Sequence, residues 1–486
     1  MNSRFSIVMV SSECSPLAKS GGLADVLGAL PKALVKLGHK VAVVIPRYMG
    51  ALQVQAERIN TRLPLELGGW HFDPAVCRYE SDGVVYFFVE HAGLYGRDGL
   101  YGDKYGDFGD NHLRFALLCR AALEISRLYF PADIFHCHDW QAGLLPLYLK
   151  AFGGQSDPML NAAKTVMTIH NMGYRGILPR SLMGAISLPE WLFRSDLIEF
   201  WGNISLLKAG LVYADAITTV SPTYAKEIQT AEGGFGLDGL LRARSASVTG
   251  ILNGVDYGVW NPETDAYIPA HYSAAKLAGK AVCKRDLLRE MGLPDEAMNR
   301  PLLGIVSRFA DQKGFDLIGQ TAWQLFQDDV YLVVLGSGVP YDGLFRGLRD
   351  RYPGRIGLRV GYDEGLAHRI EAGSDIFLMP SRYEPCGLNQ MYSLRYGTVP
   401  VVRAVGGLED TVESWPPETA TGFKFSDYTG YALLETVHAA VRAWSDRDAW
   451  KRMMLRGMGK DFSWEAAAAG YARLYSTLHP LNGGRL

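Results

Sequence analysis

Glycine-rich and charged stretches recur where apolar runs end, and one of them carries a carboxylate. The stretch Ser381–Leu388 follows the apolar run Ile376–Met379, and a helical pattern begins at its end. A helix N-terminus presents unpaired N–H groups and a positive dipole end, so this turn suits a phosphate or a polyhydroxyl ligand. Glu384 lies within the turn. The residues predict a cradle for one of these ligands without deciding which.

Two cations follow another apolar run. Ser307-Arg308-Phe309 follows Leu302–Val306, and Lys313-Gly314 opens the next helical pattern. Arginine can bind a diphosphate bidentately and lysine acts as a point charge. Cations are disfavoured at a helix start unless an anion also binds there. We therefore interpret the pair as an anion site, although exposed charges at a helix start remain the alternative.

Two further glycine-rich turns resemble helix entries. They are Lys19–Asp25 and Gly406–Thr411. Their glycines let the backbone approach a ligand closely, Lys19 adds a positive charge, and the hydroxyl of Thr411 could reach a phosphate. The first turn is neither a P-loop nor a dinucleotide-binding fingerprint. An ordinary strand–helix turn with a surface lysine remains its alternative.

Histidines form the remaining candidate cluster. His136 and His138 alternate along an apolar run and would share one face of a strand, so both could bind a metal. A buried polar pair is the alternative, since no second cluster of metal ligands stands out in the sequence. His170 follows the next apolar run, and a histidine at that end of a strand can take part in acid–base chemistry.

The elements that must position these residues alternate between strands and helices. Two successive series predict two Rossmann-like, doubly wound α/β domains facing a central cleft, with ligands at the carboxyl ends of the strands. We expect an N-terminal domain over 1–258, a C-terminal domain over 259–460, and a last helix in 461–486 that packs back on the first domain. The predicted strands are Phe5–Val10, Lys40–Ile45, Val84–Val89, Asp133–Cys137, Thr165–Ile169, Ala216–Val220, Ser247–Leu252, Leu302–Val306, Tyr331–Leu335, Ile356–Val360, Asp375–Met379 and Val399–Val402.

The composition argues against a nucleic-acid-binding, a disulfide-rich and a membrane-spanning protein. The 486 residues carry a net charge of −2 with no basic block, which argues against a nucleic-acid partner. Six cysteines are scattered without paired spacing, which favours a reducing compartment over a disulfide framework. No apolar run approaches the roughly 20 residues of a membrane span. A strand pattern begins at Phe5, so we expect no signal or transit peptide and a cytoplasmic protein, or the mature form of an imported one.

Two segments allow only a weak interpretation. The stretch from Tyr95 to Asn111 is rich in Gly, Asp and Tyr and has no apolar period, so it is either a solvated loop or a mobile flap. The only Asp-x-Asp, Asp446-Arg447-Asp448, lies in a polar helical pattern away from any strand end. Without a carboxylate pair at a strand end, we expect no metal. Cations and helix ends would then balance the charge of a diphosphate.

Together these motifs resemble those of the bacterial-type glycogen/starch synthases, retaining glycosyltransferases of GT-B architecture. Ser20 is a mild departure, since the family more often has Thr or Pro there, and Gln141 stands where it often has His. The matching motifs run through almost the whole chain and are Lys19–Val26, His138-Asp139-Trp140, His170-Asn171, Asn253–Asp256, Arg308 with Lys313-Gly314, Glu384–Leu388, and Gly406-Gly407-Leu408 with Asp410-Thr411.

The resemblance implies transfer of glucose from a nucleotide-glucose, usually ADP-glucose, to the non-reducing 4-hydroxyl of an α-1,4-glucan. It implies no cofactor and no metal, and it implies glycogen or a starch-like glucan as partner. Two alternatives stay open: a related retaining transferase that uses UDP-glucose, and a catalytically silent glucan-binding regulator. A dehydrogenase on the same kind of domains would need a dinucleotide fingerprint, which the sequence lacks.

The resemblance also assigns roles to residues. Arg308 and Lys313 would hold the diphosphate, Glu384 would bind the glucose hydroxyls, and His170 would hold the sugar near its 6-hydroxyl; these four are the expected catalytic residues. Tyr362 would stack on the base, while Tyr95 and Asp139 would face the acceptor. Cys386 would be either a reactive thiol at a helix start or a buried, inert one. The expected substrate-binding residues are Lys19, Gly21, Gly22, Asp25, Tyr95, Asp139, Asn171, Asn253, Tyr362, Cys386, Gly387, Leu388, Gly407 and Thr411.

Overall fold

The chain divides into two compact units. The computed structural model describes residues 4–153, 157–414 and 418–479. The first unit comprises Met1–Val220, Ala225–Gly254 and Trp464–Leu486, and the second comprises Ser221–Tyr224 and Val255–Ser463. The chain thus leaves the first unit after Gly254, near the predicted boundary at 258, and re-enters it at Trp464.

A mostly parallel sheet forms the centre of the first unit. Its strands are almost continuous runs of buried Val, Ile and Phe, as expected where helices cover both faces of a sheet. Within the described residues it has nine strands, in the spatial order Val248–Gly250, Ala216–Thr219, Lys164–Ile169, Ile134–His138, Ser6–Val10, Lys40–Pro46, Val84–Glu90, Ala75–Ser81 and Glu57–Asn60.

The last two strands of that order each pair antiparallel with the strand before them, and neither was predicted. Ala75–Ser81 pairs with Val84–Glu90 through a tight connection, and Glu57–Asn60 pairs with Ala75–Ser81. Glu57–Asn60 is exposed or only half-buried throughout, so it lacks the apolar run that marks the central strands. The predicted central strands are all present, with ends that differ by one or two residues.

Helices flank this sheet and carry the candidate residues at their ends. Gly22–Lys36 follows the first strand and buries Leu23, Val26, Leu27 and Leu30 in the core. The helices of the first unit are Gly22–Lys36, Ala92–Tyr95, Asn111–Tyr129, Leu144–Tyr148, Pro158–Ala162, Leu206–Tyr213, Asp238–Ala243 and Trp464–Leu478. Pro222–Glu227 begins within the short piece of chain that belongs to the second unit.

The final helix is part of the first unit. Trp464–Leu478 buries Tyr471 and Tyr475 against the core of that unit. The Tyr475 hydroxyl lies 2.8 Å from His136 Nδ1, and Lys36 forms an ion pair with Glu465 at 2.7 Å. These contacts fix a segment that is far away in sequence onto the first helix and the central strands.

A second parallel sheet forms the centre of the second unit. Its strands, in spatial order, are Ile356–Val360, Tyr331–Gly336, Leu302–Val306, Ile376–Met379, Val399–Arg403 and Phe423–Phe425. The helices around it are Ala278–Glu290, Phe315–Leu325, Tyr341–Arg351, Glu364–Gly373, Asn389–Arg395, Gly406–Thr411, Gly430–Ser445 and Arg447–Met458. Asp446 caps the last of these by accepting a hydrogen bond from Ala449 N, so the Asp-x-Asp is a helix start.

The described residues also form three smaller sheets. Their strands are Ile177–Pro179 with Asn203–Ser205 and Glu199–Phe200, Leu65–Leu67 with Trp70–Phe72, and Gly102–Asp103 with Gly106–Asp107. No helix in the described part of the chain is both long enough and apolar enough to cross a membrane.

Candidate active site

In the second unit, the predicted cation and the predicted carboxylate form an ion pair. Lys313 Nζ lies 2.6 Å from Glu384 Oε2, and the Ser381 hydroxyl donates to the same oxygen at 2.9 Å. The side chains of Lys313 and Glu384 are 20% and 7% exposed. Glu384 is thus the partner of the cation at this helix start. Arg308 follows Leu302–Val306 and is exposed.

Gly314 allows the chain to pass close to the carboxylate turn. It adopts a φ of 71°, and a Cβ at this position would lie 1.9 Å from the carbonyl oxygen of Pro380. A side chain is therefore excluded both by the left-handed backbone and by the neighbouring carbonyl. The helix begins at Phe315, just after the predicted opening at Lys313-Gly314, and follows the single turn Asp311–Lys313.

The carboxylate turn packs directly on the glycine-rich helix entry at Gly406. The N–H of Gly407 donates to the Glu384 carbonyl at 3.1 Å, and a Cβ on Gly407 would lie 2.0 Å from the carbonyl oxygen of Cys386. Gln390 is buried and donates to the carbonyl oxygens of Cys386 and Gly387. The turn at Glu384 and the helix entry at Gly406 were predicted as separate cradles, but they pack together as one structure. The buried Gln390 side chain stabilises it through hydrogen bonds. Sequence analysis did not select Gln390.

Thr411 does not present its hydroxyl as predicted. Its Oγ1 donates to the carbonyl oxygen of Gly407 at 2.6 Å and accepts from Gln390 Nε2 at 3.1 Å, and the residue is only 3% exposed. The prediction placed this hydroxyl on a phosphate, whereas the helix uses it internally. The reason is that Gly406–Thr411 is a short helix whose far end turns into the core.

The other predicted residues of the second unit differ in exposure. Tyr362 is 81% exposed, consistent with a side chain that could stack on a base. Cys386 is only 5% exposed, and all six cysteines are buried and outside disulfides. Leu388 and Gly387 are partly buried and lead into the helix Asn389–Arg395, which begins one residue after the predicted start.

In the first unit, the Glu13 side chain accepts hydrogen bonds from the Lys19–Gly22 turn. Glu13 Oε2 accepts the N–H groups of Ser20 at 2.6 Å and Gly21 at 3.1 Å, and Oε1 accepts the Ser20 hydroxyl at 2.6 Å. Lys19 is exposed and forms an ion pair with Asp25 at 2.7 Å. Two N–H groups of the turn thus face a buried carboxylate, and the helix begins at Gly22. Glu13 was not predicted, since no local pattern distinguishes it.

Asp139 and His170 meet at the carboxyl ends of adjacent strands. Asp139 adopts a φ of 57°, and its Oδ1 accepts the N–H of His170 at 2.7 Å. Burial raises the pKa of Asp139 to about 7, against the opposing effect of hydrogen bonds from the N–H groups of His170 and Asn171. Burial lowers the pKa of His170 to about 3, so its ring is neutral at pH 7.

The alternating histidines form a buried polar cluster. His136 Nε2 lies 2.6 Å from the Thr168 hydroxyl while its Nδ1 faces Tyr475, so both ring nitrogens are engaged. His138 Nδ1 lies 3.0 Å from His170 Nε2. In the described residues, no group of three or more His, Cys, Asp or Glu side chains could hold a metal ion. The cluster matches the buried-pair alternative to the metal site.

Two of the predicted binding residues have structural contacts, and a third is buried. Tyr95 is fully buried and its hydroxyl donates to the carbonyl oxygen of Arg114 at 2.6 Å, so it is not directed at an acceptor as predicted. Asn171 Oδ1 accepts the N–H of Gly173 at 2.8 Å and shapes its own turn. Asn253 is buried.

The segment from Tyr95 to Asn111 is hydrogen-bonded to the rest of the first unit. Arg114 donates to the carbonyl oxygen of Leu100 at 2.9 Å, and Arg97 pairs with Asp110. The Tyr101 hydroxyl donates to Glu13 and lies 2.8 Å from Ser12 Oγ. A freely solvated loop does not describe this segment.

Family models match both units. The model "Starch synthase catalytic domain" matches residues 6–243, and "Glycosyl transferases group 1" matches residues 293–453. A glycogen synthase of Koribacter versatilis is 52% identical over 96% of this chain and 97% of its own length. A glycogen synthase of Myxococcus xanthus is 48% identical over 97% of this chain and 99% of its own length.

Solved structures agree with this assignment. The catalytic domain of starch synthase IV from Arabidopsis thaliana, bound to ADP and acarbose, has a TM-score of 0.89 and 33% identity and covers 98% of this chain and 99% of its own. A sucrose-phosphate synthase from Thermosynechococcus elongatus has a TM-score of 0.60 at 19% identity over 98% of this chain and 99% of its own, which shows the shared fold alone. With close relatives along nearly its whole length, the chain belongs to the glycogen/starch synthase family of GT-B glycosyltransferases.

Proposed function

We propose that the chain transfers glucose from ADP-glucose to the non-reducing 4-hydroxyl of an α-1,4-glucan, with retention of configuration. The observation that carries the proposal is the Lys313–Glu384 pair, set at the carboxyl end of the second unit's sheet. It combines a cation for a leaving phosphate with a carboxylate for a sugar. The relative from Arabidopsis was solved with ADP and acarbose, which supports ADP as the nucleotide.

The second unit would handle the donor. Arg308 and Lys313 stabilise the negative charge that grows on the diphosphate as its bond to the anomeric carbon breaks. Glu384 accepts hydrogen bonds from glucose hydroxyls and stabilises the positive charge that develops at that carbon. Because the ion pair and Ser381 already orient Glu384, little reorganisation is needed when the donor binds. The exposed ring of Tyr362 stacks on the base.

Residues of the first unit would complete the chemistry. Lys19 and the helix start at Gly22 contribute to the diphosphate cradle. The neutral ring of His170 makes a hydrogen bond near the 6-hydroxyl of the transferred glucose, and Asp139 lies toward the acceptor. The proton of the attacking hydroxyl passes to the leaving phosphate oxygen, so no protein side chain is required as the base.

The proposed reaction uses no metal or other cofactor. Arg308, Lys313 and Lys19 supply the positive charge that a divalent cation supplies in other phosphate-transfer sites. We expect equal initial rates in EDTA and in Mg²⁺ at matched ionic strength. A rate that falls at least tenfold in EDTA and recovers with Mg²⁺ would overturn this part of the proposal.

Initial rates with ADP-glucose and UDP-glucose, each with and without added glucan, test the function. We expect glucan-dependent incorporation of labelled glucose that is fastest from ADP-glucose. Faster incorporation from UDP-glucose would reassign the nucleotide. No incorporation from either donor, by protein that still binds glucan, would identify a silent glucan-binding regulator.

A further inference from the structure

Glu13 is a buried carboxylate whose hydrogen bonds lead to the Lys19–Gly22 turn and to Tyr101. The residue is 3% exposed. Its Oε2 accepts the backbone N–H groups of Ser20 and Gly21, and its Oε1 accepts the hydroxyls of Ser20 and Tyr101. A buried carboxylate is costly unless it is well hydrogen-bonded, and four donors meet that requirement. All four of these donors belong to the turn or to Tyr101.

The turn that Glu13 holds has open space beside its glycines. A Cβ added at Gly21 or Gly22 would meet nothing within 4 Å, so side-chain contacts at these two positions do not fix the backbone. Glycine residues also leave the backbone many conformations in solution. The hydrogen bonds to Glu13, together with the backbone bond from Ala24 N to Gly21 O at 3.2 Å, select one conformation of the turn. They direct the N–H groups of Ser20 and Gly21 inward.

The conformation of the turn decides which of its groups a ligand can contact. With the N–H groups of Ser20 and Gly21 turned inward, the exposed Lys19 side chain and the helix start at Gly22 are what the turn presents to solvent. Lys19 lies 2.7 Å from Asp25 on the first turn of that helix. A cation and a helix N-terminus are both suited to phosphate oxygens.

The same carboxylate also reaches the segment from Tyr95 to Asn111. Tyr101 donates its hydroxyl to Glu13, and its carbonyl oxygen accepts a hydrogen bond from Asn111 Nδ2 at 2.8 Å. Glu13 and Tyr101 are separated by 88 positions in the sequence. One side chain thus hydrogen-bonds both to the glycine-rich turn and to the segment from Tyr95 to Asn111.

We propose that Glu13 is a positioning residue for the diphosphate of the donor: it fixes the Lys19–Gly22 turn in the conformation that presents Lys19, and it ties Tyr101 to the same point. This inference rests on the proposed function for the identity of the ligand. Its structural part, that Glu13 fixes the turn, does not depend on any ligand.

Glu13→Ala and Glu13→Gln together test the proposal. The alanine variant loses every hydrogen bond to the turn. The glutamine variant keeps one oxygen for the N–H groups of Ser20 and Gly21, and its amide can donate to the two hydroxyls, which are able to reverse. We expect Glu13→Ala to raise the Kd for ADP about tenfold and Glu13→Gln to restore most of that loss. The KM for glucan should change less than twofold in either variant.

Amide hydrogen exchange provides a readout that needs no ligand. We expect the N–H groups of Ser20 and Gly21 to exchange at least tenfold faster in Glu13→Ala than in the wild-type protein, and near wild-type rates in Glu13→Gln. Unchanged exchange in Glu13→Ala would overturn the positioning role. Faster exchange with unchanged ADP affinity would overturn its link to the diphosphate. Wild-type protein that binds no ADP at all would instead refute the proposed function.

Two milder variants test the proposal if Glu13→Ala fails to fold. Ser20→Ala removes one hydroxyl from an exposed residue, and we expect a Kd for ADP raised about threefold. Tyr101→Phe removes the hydrogen bonds from Tyr101 to Glu13 and Ser12 and leaves those between Glu13 and the turn. It should leave the Kd for ADP within twofold and make cleavage between residues 95 and 111 faster in limited proteolysis. Wild-type behaviour of both variants would contradict the proposal.

Discussion

Removing Lys313 should affect stability and turnover through different mechanisms. In Lys313→Ala the Glu384 carboxylate stays in a site where its side chain is 7% exposed, with the Ser381 hydroxyl still donating to it. Breaking a buried ion pair by removing one partner costs about 3–5 kcal/mol, because a charge is left without its counter-charge. Since Lys313 itself is 20% exposed, we expect the lower end, about 3 kcal/mol.

A second substitution separates the two effects. Glu384→Gln in the Lys313→Ala background removes the unpaired charge, so the free energy of unfolding should recover by about 2 kcal/mol. Turnover should not recover. Each single variant loses a group that stabilises charge in the transition state, and kcat should fall roughly 10²–10³-fold in both singles and in the double variant.

Urea unfolding and initial rates, measured on the same preparations, check this prediction. The control is Lys36→Ala, which removes an exposed pair of similar length, 2.7 Å between Lys36 Nζ and Glu465 Oε1. Its stability should change by less than about 1 kcal/mol and its turnover should not change. Near wild-type turnover in Lys313→Ala would refute the diphosphate assignment. A double variant no more stable than Lys313→Ala would refute the argument about the unpaired carboxylate.

Three further predictions concern Gly314, the buried titratable side chains of the first unit, and Cys386. Gly314→Ala should destabilise the protein by more than about 1 kcal/mol and lower turnover, because the residue has a φ of 71° and a Cβ would lie 1.9 Å from Pro380 O; Gly343→Ala, in a helix where a Cβ meets nothing within 4 Å, should leave thermal unfolding unchanged or raise its midpoint. His136 and His170 have pKa values lowered from 6.5 to about 3 by burial, so the folded chain binds fewer protons than the unfolded chain between these values and stability is lost as pH falls below 6.5. The pKa of Asp139, raised from 3.8 to about 7, acts in the opposite direction, because its contribution to the free energy of unfolding is present at low pH and lost as pH rises through 7. Asp139→Asn should therefore steepen the loss of stability between pH 7 and 5 in urea titrations. An unchanged slope would contradict this. Cys386, at 5% exposure, should be alkylated slowly with loss of activity, and ADP-glucose should slow the reaction further; equal rates with and without ADP-glucose, or inactivation of Cys386→Ser at the wild-type rate, would argue against it.

Local patterns in the sequence determined most of the fold. The central strands of both sheets are apolar runs because parallel strands are covered on both faces, and that burial leaves a signature in a few consecutive residues. Turns such as Lys19–Gly22 and Gly406-Gly407 could be placed at strand ends because sheets of this kind bring strand ends and helix starts together. The antiparallel strands at the sheet edge were missed, because partly exposed strands have no comparable signature.

Only the tertiary structure decided how the candidate residues contact one another. Lys313 and Glu384 are 71 positions apart, and Glu13 and Tyr101 are 88 apart, so neither pairing leaves a trace in local composition. The direction of a hydroxyl or a phenol ring depends on packing, which is why Thr411 and Tyr95 were assigned to ligands although the fold uses both internally. The sequence by itself determined which residues stand at strand ends and what family they resemble. The packing of distant loops decided which of them share a hydrogen bond, because those contacts form only when segments far apart in the chain meet.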